Sequence, residues 1–380
     1  MKRVAIFGST GSIGESTLNI IRENPEKFSA VTLVAGKNKD KLISQIEEFK
    51  PENVYIINGD DAKEIKAKYR NLNVFCGERG MEEISELTDF DISVSALVGV
   101  AGLLPTYNMI KNGKCVALAN KEVLVAGGEL IMRTAKKSGA LLLTVDSEHS
   151  AIMQCLNGEK QNKIEKILLT ASGGPFFDKE ITDDITPEMA LSHPTWSMGT
   201  KVTIDSSTMM NKGFEVIEAK WLFGVEPSKI EVVVHRKSLV HSMVEFCDGT
   251  IMANIAPKSM QIPIAYALNF PERLPNNIEK LDIFSISELK FERPDLKKFP
   301  CLALAYKASG MGHSAQVVLN AANEVMVDAF LKGKAKYTSI PKVISAMLDK
   351  YDIRKLDSVG DILDFDREVR ADTRAFINLT

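Results

Sequence analysis

Two carboxylates stand two residues apart directly after an apolar run of the chain. The run from Leu141 to Val145 is typical of a buried strand, and Asp146 and Glu148 follow it. In extended backbone these two side chains project to the same side, where they repel each other unless a cation lies between them. With no thiolate or clear imidazole partner, the oxygen ligands favour Mg²⁺ or Mn²⁺ over zinc. The pattern alone is weak, because most such pairs are simply solvated.

A second polar segment runs from Asp205 to Glu215, at the start of a predicted helix. Its small hydroxyls, amide and lysine are the donors and the point charge that a phosphomonoester needs. Asn211 and Glu215 lie four residues apart, so both project from one side of the helix, and Glu215 can supply a third carboxylate to the metal. The alternative is a capped amphipathic helix in which Ser206 or Ser207 is only the N-cap.

Two loops have the composition of a lid. The segment from Thr170 to Phe176 breaks from a strand into two glycines, and the segment from His193 to Gly199 follows about twenty residues later with Trp196 inside it. Glycine hinges and large side chains of this kind are typical of loops that exclude water from a reacting centre. His193 could contact a phosphate or move a proton, although an isolated His or Trp more often serves packing.

The glycine-rich segment from Gly8 to Gly14 follows the first apolar strand and opens a helix. Glycines allow a tight turn close to a pyrophosphate, and the start of the helix then presents free N–H groups to it. The spacing is GxxGxxG, and its place in a βαβ unit predicts a dinucleotide site. The alternative is a purely structural turn between strand and helix.

The second strand indicates which dinucleotide binds. NAD sites usually carry an acidic residue at the end of this strand, whereas this chain continues into Gly36, Lys37 and Asn38 with no acid before Asp40. A cation there suits a 2′-phosphate, so the segment predicts NADP over NAD. The alternative is that Lys37 is an ordinary solvated lysine.

Hydrophobic periodicity predicts the elements that position these groups. Strand-like runs alternate with helical segments through the first 145 residues, which indicates a parallel sheet with helices on both faces. Four later strands are separated by short turns, which favours antiparallel pairing. One long helix is expected over 207–223, and further helices follow a Pro-rich passage. Among these, Ala315, Val318 and Ala322 recur on one face, and Ser358 with Asp361 three residues later predicts a capping box for the last helix.

These patterns predict an α/β fold with a Rossmann-like parallel-sheet N-terminal domain, an α+β catalytic domain with antiparallel strands, and a C-terminal helical bundle domain. The expected boundaries are 1–146 for the NADPH-binding domain, 147–280 for the catalytic domain, 281–300 for a linker and 301–380 for the helical domain.

Composition limits the classes of partner. The 380 residues contain 47 Lys and Arg against 50 Asp and Glu, so the net charge of -3 provides no basic surplus for nucleic acid. No uncharged apolar run reaches about 18 residues, so we expect no membrane partner. The 5 cysteines are widely spaced and odd in number, which favours reduced thiols over disulfides or zinc. With an N-terminal apolar run too short for a secretory signal, we expect a cytoplasmic protein.

Together the motifs resemble those of the 1-deoxy-D-xylulose 5-phosphate reductoisomerase family. The resemblance rests on Gly8 to Gly14, Ala35 to Asn38, Leu118 to Glu122, Val145 to His149, Ser172 to Phe176, His193 to Gly199 and Met209 to Glu215. It implies that 1-deoxy-D-xylulose 5-phosphate, a small phosphorylated sugar, is rearranged to an aldehyde. NADPH then reduces the aldehyde to 2-C-methyl-D-erythritol 4-phosphate in the non-mevalonate route to isoprenoid precursors. It also implies a homodimer, and that the segment 147–280 serves dimerisation as well as catalysis.

The resemblance also implies roles for individual residues. The divalent cation would be held by Asp146, Glu148 and Glu215, which form the catalytic group together with Lys121. Substrate contacts would come from Lys121, Ser147, Glu148, Ser172, His193, Trp196, Ser206, Asn211, Lys212 and Glu215, with Trp196 on the lid and Ser172, His193, Ser206, Asn211 and Lys212 chiefly around the phosphate. NADPH contacts would come from Thr10, Gly11, Ser12, Ile13, Gly36, Lys37, Asn38, Asn120, Glu122 and Gly199.

Two other functions remain open from the residues alone. A plain NADP-dependent dehydrogenase acting on a phosphorylated sugar would need no set of three acidic ligands on two segments. A non-catalytic dinucleotide sensor would leave the hydroxyl-rich anion site and the acidic cluster without a role.

Overall fold

The computed structural model describes residues 1–159, 163–196 and 198–379. The fold divides into two compact units. The first contains Met1–Val123, Ile131–Ser147 and Ser259–Asn277, and the second contains Leu124–Leu130, Glu148–Lys258 and Ile278–Thr380. The four functional segments expected from the sequence, with boundaries after residues 146, 280 and 300, remain a prediction.

The regular elements alternate as the sequence predicts. The strands are β1 (Lys2–Phe7), β2 (Phe28–Val34), β3 (Asn53–Ile56), β4 (Asn73–Cys76), β5 (Ile92–Ser95), β6 (Cys115–Leu118), β7 (Leu142–Thr144), β8 (Ile164–Ala171), β9 (Ile230–Val234), β10 (Val240–Phe246) and β11 (Ile251–Ile255). The helices are α1 (Ser12–Glu23), α2 (Lys39–Phe49), α3 (Gly59–Lys68), α4 (Gly77–Glu86), α5 (Leu103–Lys111), α6 (Glu122–Ser138), α7 (Ser147–Cys155), α8 (Pro187–Leu191), α9 (Thr200–Ser207), α10 (Met210–Phe223), α11 (Gln261–Asn269), α12 (Pro300–Met311), α13 (His313–Leu331), α14 (Ser339–Lys350) and α15 (Val359–Leu379).

The first unit is built on a seven-stranded parallel sheet with the order β4-β3-β2-β1-β5-β6-β7. The central strand β1 is completely buried from Val4 to Phe7, as expected for a strand covered on both faces. All seven strands point the same way, so their carboxyl ends lie at one edge of the sheet. Ligands of open α/β sheets bind at this edge. The parallel sheet confirms the predicted fold class.

The second unit contains a four-stranded mixed sheet with the order β11-β10-β8-β9. Strand β10 is antiparallel to both β8 and β11, which confirms the expected antiparallel pairing. The antiparallel pair expected across the short turn between β9 and β10 is wrong, because β8 lies between these two strands and pairs with β9 in parallel. The reason is the connection: a long crossover containing α9 and α10 joins β8 to β9 and returns the chain to the starting end of the sheet.

The helix expected over 207–223 forms as α10, but it begins three residues later than expected. Helix α9 ends at Ser207 and α10 begins at Met210, because Met209 adopts a left-handed conformation with φ of 61°. The hydroxyl of Thr208 accepts a hydrogen bond from the Met210 N–H at 3.3 Å, which satisfies a backbone group that the break leaves open. The break divides the polar segment, so that Ser206 lies at the end of α9 and Asn211 and Lys212 lie at the start of α10.

The C-terminal helices bury the faces that their periodicity predicts. In α13, Ala315, Val318 and Ala322 are all buried. At the start of α15, the Asp361 N–H donates to the Ser358 hydroxyl at 3.1 Å and the Ser358 N–H donates to the Asp361 carboxylate at 3.0 Å, which is the expected capping box. Among the residues described here, no helix is long and apolar enough to cross a membrane.

Candidate active site

The glycine turn after β1 is sterically required at two of its three glycines. Gly8 has φ of +103°, and a Cβ there would lie 2.6 Å from the Ala96 carbonyl oxygen. A Cβ on Gly14 would lie 2.3 Å from the Gly8 carbonyl oxygen, whereas one on Gly11 would meet its nearest neighbour at 3.4 Å. Close approach of backbone to backbone therefore explains why glycine is needed at positions 8 and 14. The same steric argument does not require glycine at position 11.

Four of the predicted cofactor residues lie at the start of α1. Gly11 is the N-cap, and Ser12 and Ile13 form the first turn. Because the first N–H groups of a helix have no partner within the helix, this end offers donors and a positive dipole to a pyrophosphate. Gly11 and Ser12 are exposed and Thr10 and Ile13 are half-buried, so a ligand can reach the turn.

The segment predicted to select NADP lies at the carboxyl end of β2, which pairs with β1. Gly36, Lys37 and Asn38 are all exposed. The Asn38 side chain accepts a hydrogen bond from the Lys41 N–H at 3.1 Å and caps α2. The cap holds the short loop that presents Lys37 at the same edge of the sheet as the glycine turn.

The carboxyl ends of β6 and β7 bring Lys121 and Asp146 together. These strands are neighbours in the sheet, and Lys121 Nζ lies 2.7 Å from Asp146 Oδ2. Both residues are buried, as are the flanking Asn120 and Glu122. The Asn120 amide donates to the Gly99 carbonyl at 2.8 Å, which fixes its side chain below the loop.

The predicted carboxylate pair forms, but not in extended backbone. Helix α7 begins at Ser147, so Glu148 lies in the first helical turn while Asp146 precedes it. The extended-strand argument is therefore wrong in its geometry. A carboxylate oxygen of Asp146 still lies within 4.8 Å of one of Glu148. A helix N-terminus stabilises negative charge, which partly offsets the repulsion between the two groups.

Glu148 and Glu215 meet around one ammonium group. Their carboxylate oxygens lie within 4.8 Å of each other. Lys212 Nζ donates to Glu148 Oε1 at 3.0 Å and also to Glu215 Oε2. The Asn211 amide donates to the other oxygen of Glu215 at 2.6 Å. Helix α10 thus supplies three of the predicted site residues, and its fourth-residue spacing produces the contact between Asn211 and Glu215 that the sequence indicates.

Two buried residues that the sequence analysis did not select support this cluster. His149 is fully buried, and its Nε2 lies 2.9 Å from the backbone carbonyl of Glu215. Its Nδ1 lies 3.3 Å from Glu218, which is also fully buried. In the sequence, only their positions could have indicated these two residues. His149 directly follows Glu148, and Glu218 lies three residues after Glu215 on the same helix. Neither signal is specific without the fold.

Ser172 and His193 form a hydrogen-bonded pair with a separation of 3.0 Å between Oγ and Nε2. His193 Nδ1 accepts hydrogen bonds from the N–H groups of Thr195 and Trp196 at 3.2 and 2.9 Å. Because Nδ1 is an acceptor, the proton of the neutral ring lies on Nε2, which donates to Ser172. Burial lowers the pKa of His193, which favours the same neutral form.

The glycine loop after β8 places this pair beside the α9–α10 turn. Gly174 has φ of +66°, and a Cβ there would lie 2.8 Å from the Ser206 carbonyl oxygen. Half-buried Ser172 and Ser206 thus lie on segments in direct contact. Trp196 is half-buried and its ring lies 6.2 Å from that of His241. Ser197, within the same motif, lies outside the described residues.

The predicted residues thus form local groups. Nine of the predicted cofactor residues and Lys121, Asp146 and Ser147 belong to the first unit. Gly199, at the N-cap of α9, and the other predicted substrate residues belong to the second unit. Their assignment to ligands stays a prediction.

Comparisons with known proteins match nearly the whole chain. A family model described as 1-deoxy-D-xylulose 5-phosphate reductoisomerase matches residues 4–128, and models described as its C-terminal domain match residues 142–223 and 255–372. Proteins named 1-deoxy-D-xylulose 5-phosphate reductoisomerase from Clostridium perfringens (strain 13 / Type A) and Chloroherpeton thalassium are 48% and 49% identical. Each alignment covers 97% of this chain, with 98% and 97% of the relatives.

Solved structures agree with these relatives. A crystal structure of DOX-P reductoisomerase in complex with NADPH, fosmidomycin and magnesium superposes with a TM-score of 0.95 at 40% identity, covering 100% of this chain and 99% of that one. The Zymomonas mobilis reductoisomerase in complex with NADPH gives 0.93 at 36% identity, with 99% of each chain covered. The chain therefore belongs to the 1-deoxy-D-xylulose 5-phosphate reductoisomerase family.

Proposed function

We propose that this protein converts 1-deoxy-D-xylulose 5-phosphate to 2-C-methyl-D-erythritol 4-phosphate, using NADPH and a divalent cation. The observation that carries the proposal is the cluster of Glu148, Lys212 and Glu215, which brings two proposed metal ligands together with a buried ammonium group. The reaction belongs to the supply of isoprenoid precursors by the non-mevalonate route.

Asp146, Glu148 and Glu215 would hold the cation. Their carboxylates are hard oxygen ligands suited to Mg²⁺, and Mn²⁺ fits the same donor set. When bound, the cation polarises the substrate carbonyl and stabilises negative charge on oxygen during the skeletal rearrangement. His149 holds the backbone of Glu215 through its 2.9 Å contact, so the ligand stays aimed at the site.

Lys212 connects the metal ligands to the phosphate site. Its ammonium balances the charge of Glu148 and Glu215 in this structure. A divalent cation held by the same carboxylates would take over that balance and leave the ammonium available to a substrate phosphate. Lys121, paired with Asp146, would add positive charge near the oxygen on which negative charge develops.

The substrate phosphate would bind the hydroxyl, amide and imidazole groups around the α9–α10 turn. Ser172 and His193 form one side, and Ser206, Asn211 and Lys212 form the other. The neutral His193 ring orients the Ser172 hydroxyl through the 3.0 Å hydrogen bond. Ser147 and Trp196 would contact the rest of the substrate, with the Trp196 segment closing over it and excluding water.

NADPH would bind at the carboxyl edge of the parallel sheet. Its pyrophosphate fits the N–H groups at Gly11, Ser12 and Ile13, and its 2′-phosphate fits exposed Lys37. The remaining contacts would come from Thr10, Gly36, Asn38, Asn120, Glu122 and Gly199. The cofactor supplies the hydride, and the protein aligns the donor and the aldehyde.

A homodimer through β11 fits the exposed edge of the mixed sheet. Strand β11 pairs on one side only, with β10, among the strands described. Ile251, Met252 and Ile255 on it are large apolar residues that are 51%, 39% and 41% exposed. An apolar edge strand of this kind is an aggregation hazard unless a partner covers it.

All 5 cysteines are free thiols, which fits a reducing, cytoplasmic location.

The direct test mixes the protein with 1-deoxy-D-xylulose 5-phosphate, Mg²⁺ and NADPH and follows nicotinamide absorbance, with product identified by mass spectrometry. Metal-dependent NADPH oxidation with formation of 2-C-methyl-D-erythritol 4-phosphate supports the proposal. Oxidation that yields an unbranched sugar alcohol would instead favour a plain dehydrogenase. NADPH binding without any turnover would favour a sensor.

A further inference from the structure

A large cavity lies among the C-terminal helices of the second unit, apart from the residues assigned above to the metal and to the phosphate. It has a volume of about 780 Å³, within the range of natural ligand pockets. Its walls come from α12, from α14 and from the segments next to each, with Cys301, Leu304 and Pro341 among the apolar lining residues. We propose that it binds an amphiphile made of one apolar chain and a phosphate headgroup.

The apolar walls of the cavity would bind the apolar chain of the amphiphile. Cys301 is almost fully buried at the base of α12, and burial raises the pKa of its thiol to about 12, so it is a neutral, inert wall group at physiological pH. The aromatic ring of Tyr337 packs edge-on against Phe176 and Phe330, at 5.3 and 5.6 Å between centroids. Transfer of an alkyl chain from water to such walls is favourable by about 25 cal/mol per Å² of apolar surface.

The lysines that line the cavity would bind the phosphate headgroup of the amphiphile. The cavity is bordered by Lys297, Lys298, Lys307 and Lys342 against one acid, Glu180. Lys307 is paired with Asp349 at 2.7 Å, and the Lys298 ammonium donates to the Phe177 carbonyl at 2.7 Å. Exposed Lys297 and Lys342 make no ion pair with another described residue, although Asp183, already bound to Lys336, lies near Lys342. Two exposed lysines at an apolar opening complement a phosphate.

Tyr337 contributes a buried residue to the wall of the cavity. It is 3% exposed, and its hydroxyl makes no hydrogen bond within 3.5 Å to a described residue, Ser207 being only a weaker polar neighbour. This hydroxyl oxygen is buried and not accessible from the cavity in this structure, so the headgroup assignment rests on the lysines.

The position of the cavity allows a bound ligand to influence the proposed phosphate site. Its lining includes Thr208, in the turn between α9, which carries Ser206, and α10, which carries Asn211. It also includes Ile181, in the segment between Ser172 and His193. An occupant would contact both segments that hold the proposed phosphate site. This consequence rests on the proposed function, whereas binding itself does not.

Isothermal titration calorimetry of the full-length protein with decyl phosphate tests whether the cavity binds such an amphiphile. We expect saturable one-to-one binding, with decanol, decanoate and inorganic phosphate each binding at least about tenfold more weakly. Absence of decyl phosphate binding would overturn the proposal. Equal binding of decanol would overturn the headgroup assignment, and equal binding of decanoate would overturn its phosphate specificity.

Three variants locate the site. The double reversal Lys297→Glu with Lys342→Glu should weaken decyl phosphate binding by about tenfold or more, whereas Lys237→Glu, an exposed lysine away from the cavity, should not change it. Ala303→Trp fills the cavity from its half-buried wall and should abolish binding. Circular dichroism and thermal unfolding check that each variant is folded. Undiminished binding by folded double-reversal and Ala303→Trp proteins would place the ligand elsewhere.

A kinetic measurement separates the site from the proposed catalytic function. Decyl phosphate should change the KM for 1-deoxy-D-xylulose 5-phosphate in the wild type and leave it unchanged in Ala303→Trp. Calorimetric binding in a protein that has no reductoisomerase turnover would sustain the cavity site and refute only the proposed function. Turnover that is unaffected by saturating decyl phosphate would refute the coupling between the cavity and the active site.

Discussion

The Lys212 ammonium donates to Glu148 Oε1 at 3.0 Å, although 64 residues separate the two along the chain. The Lys212 side chain is 6% exposed and also contacts Glu215, whose side chain is 1% exposed. Charged groups this deeply buried are stable only when they are paired. The charges of Glu148 and Glu215 are therefore balanced by an internal cation.

Lys212→Gln removes this balance and leaves two carboxylates facing each other. We expect the free energy of unfolding without metal to fall by about 3 kcal/mol. Saturating Mg²⁺ should stabilise the variant more than the wild type, because the variant lacks the competing ammonium. Denaturant unfolding with and without Mg²⁺ measures both effects.

The matched control is Lys332→Gln, which removes an exposed pair with Asp328 and should cost no more than about 0.5 kcal/mol. Equal stabilisation of wild type and Lys212→Gln by Mg²⁺ would contradict competition between the ammonium and the metal.

Glu215→Gln keeps the size of the side chain and removes one proposed ligand charge. Metal-dependent turnover should fall by at least about 100-fold, while NADPH affinity measured by fluorescence should stay nearly unchanged. Glu226→Gln, an exposed carboxylate beyond the end of α10, is the control and should behave like the wild type. Undiminished turnover of Glu215→Gln would remove this residue from the metal site.

His193→Gln tests the neutral, buried imidazole. The pKa of His193 is lowered by burial from its ordinary value of 6.5, so the unfolded chain binds the proton first as the pH falls. The stability that neutral His193 contributes is thus fully present above about pH 6.5 and is lost as the pH falls toward the folded-state pKa. The free energy of unfolding should therefore decrease less in the variant than in the wild type between about pH 7.5 and 5.5. Identical pH profiles would mean that His193 is not held neutral by the fold.

Gly14→Ala tests the close approach at the nucleotide turn. The new methyl group would lie 2.3 Å from the Gly8 carbonyl oxygen, so the turn must open. We expect a loss of about 2 to 3 kcal/mol in stability and a large loss of NADPH affinity. Gly310→Ala, which lies in the last turn of α12 and meets nothing within 4 Å, should be neutral or stabilising by up to about 1 kcal/mol. Wild-type NADPH affinity in Gly14→Ala would exclude a bound pyrophosphate at this turn.

Lys37→Ala tests the proposed 2′-phosphate contact. The KM for NADPH should rise by about tenfold to 100-fold, while the KM for NADH should change little, because only NADPH carries the phosphate. Lys63→Ala, whose pair with Asp60 is highly exposed, serves as the control. A parallel rise in both KM values would indicate that Lys37 acts on the fold of the loop and not on the phosphate.

The sequence alone determined the features that depend on neighbours along the chain. The alternation of strands and helices, the turn from Gly8 to Gly14 and the capping box at Ser358 each follow from spacing within a few residues. The hydrogen bond between Asn211 and Glu215 has the same origin. Local spacing is sufficient for these features because backbone geometry repeats every two or 3.6 residues.

The tertiary structure decided everything that joins distant segments. The contact of Lys212 with Glu148, the hydrogen bond between Ser172 and His193 and the support of Glu215 by His149 depend on packing around the second unit's core. The parallel pairing of β8 with β9 and the left-handed Met209 also departed from local expectation. Propensity is worth at most about 1 kcal/mol per residue, so burial and long-range hydrogen bonds override it wherever segments far apart in sequence must share one core.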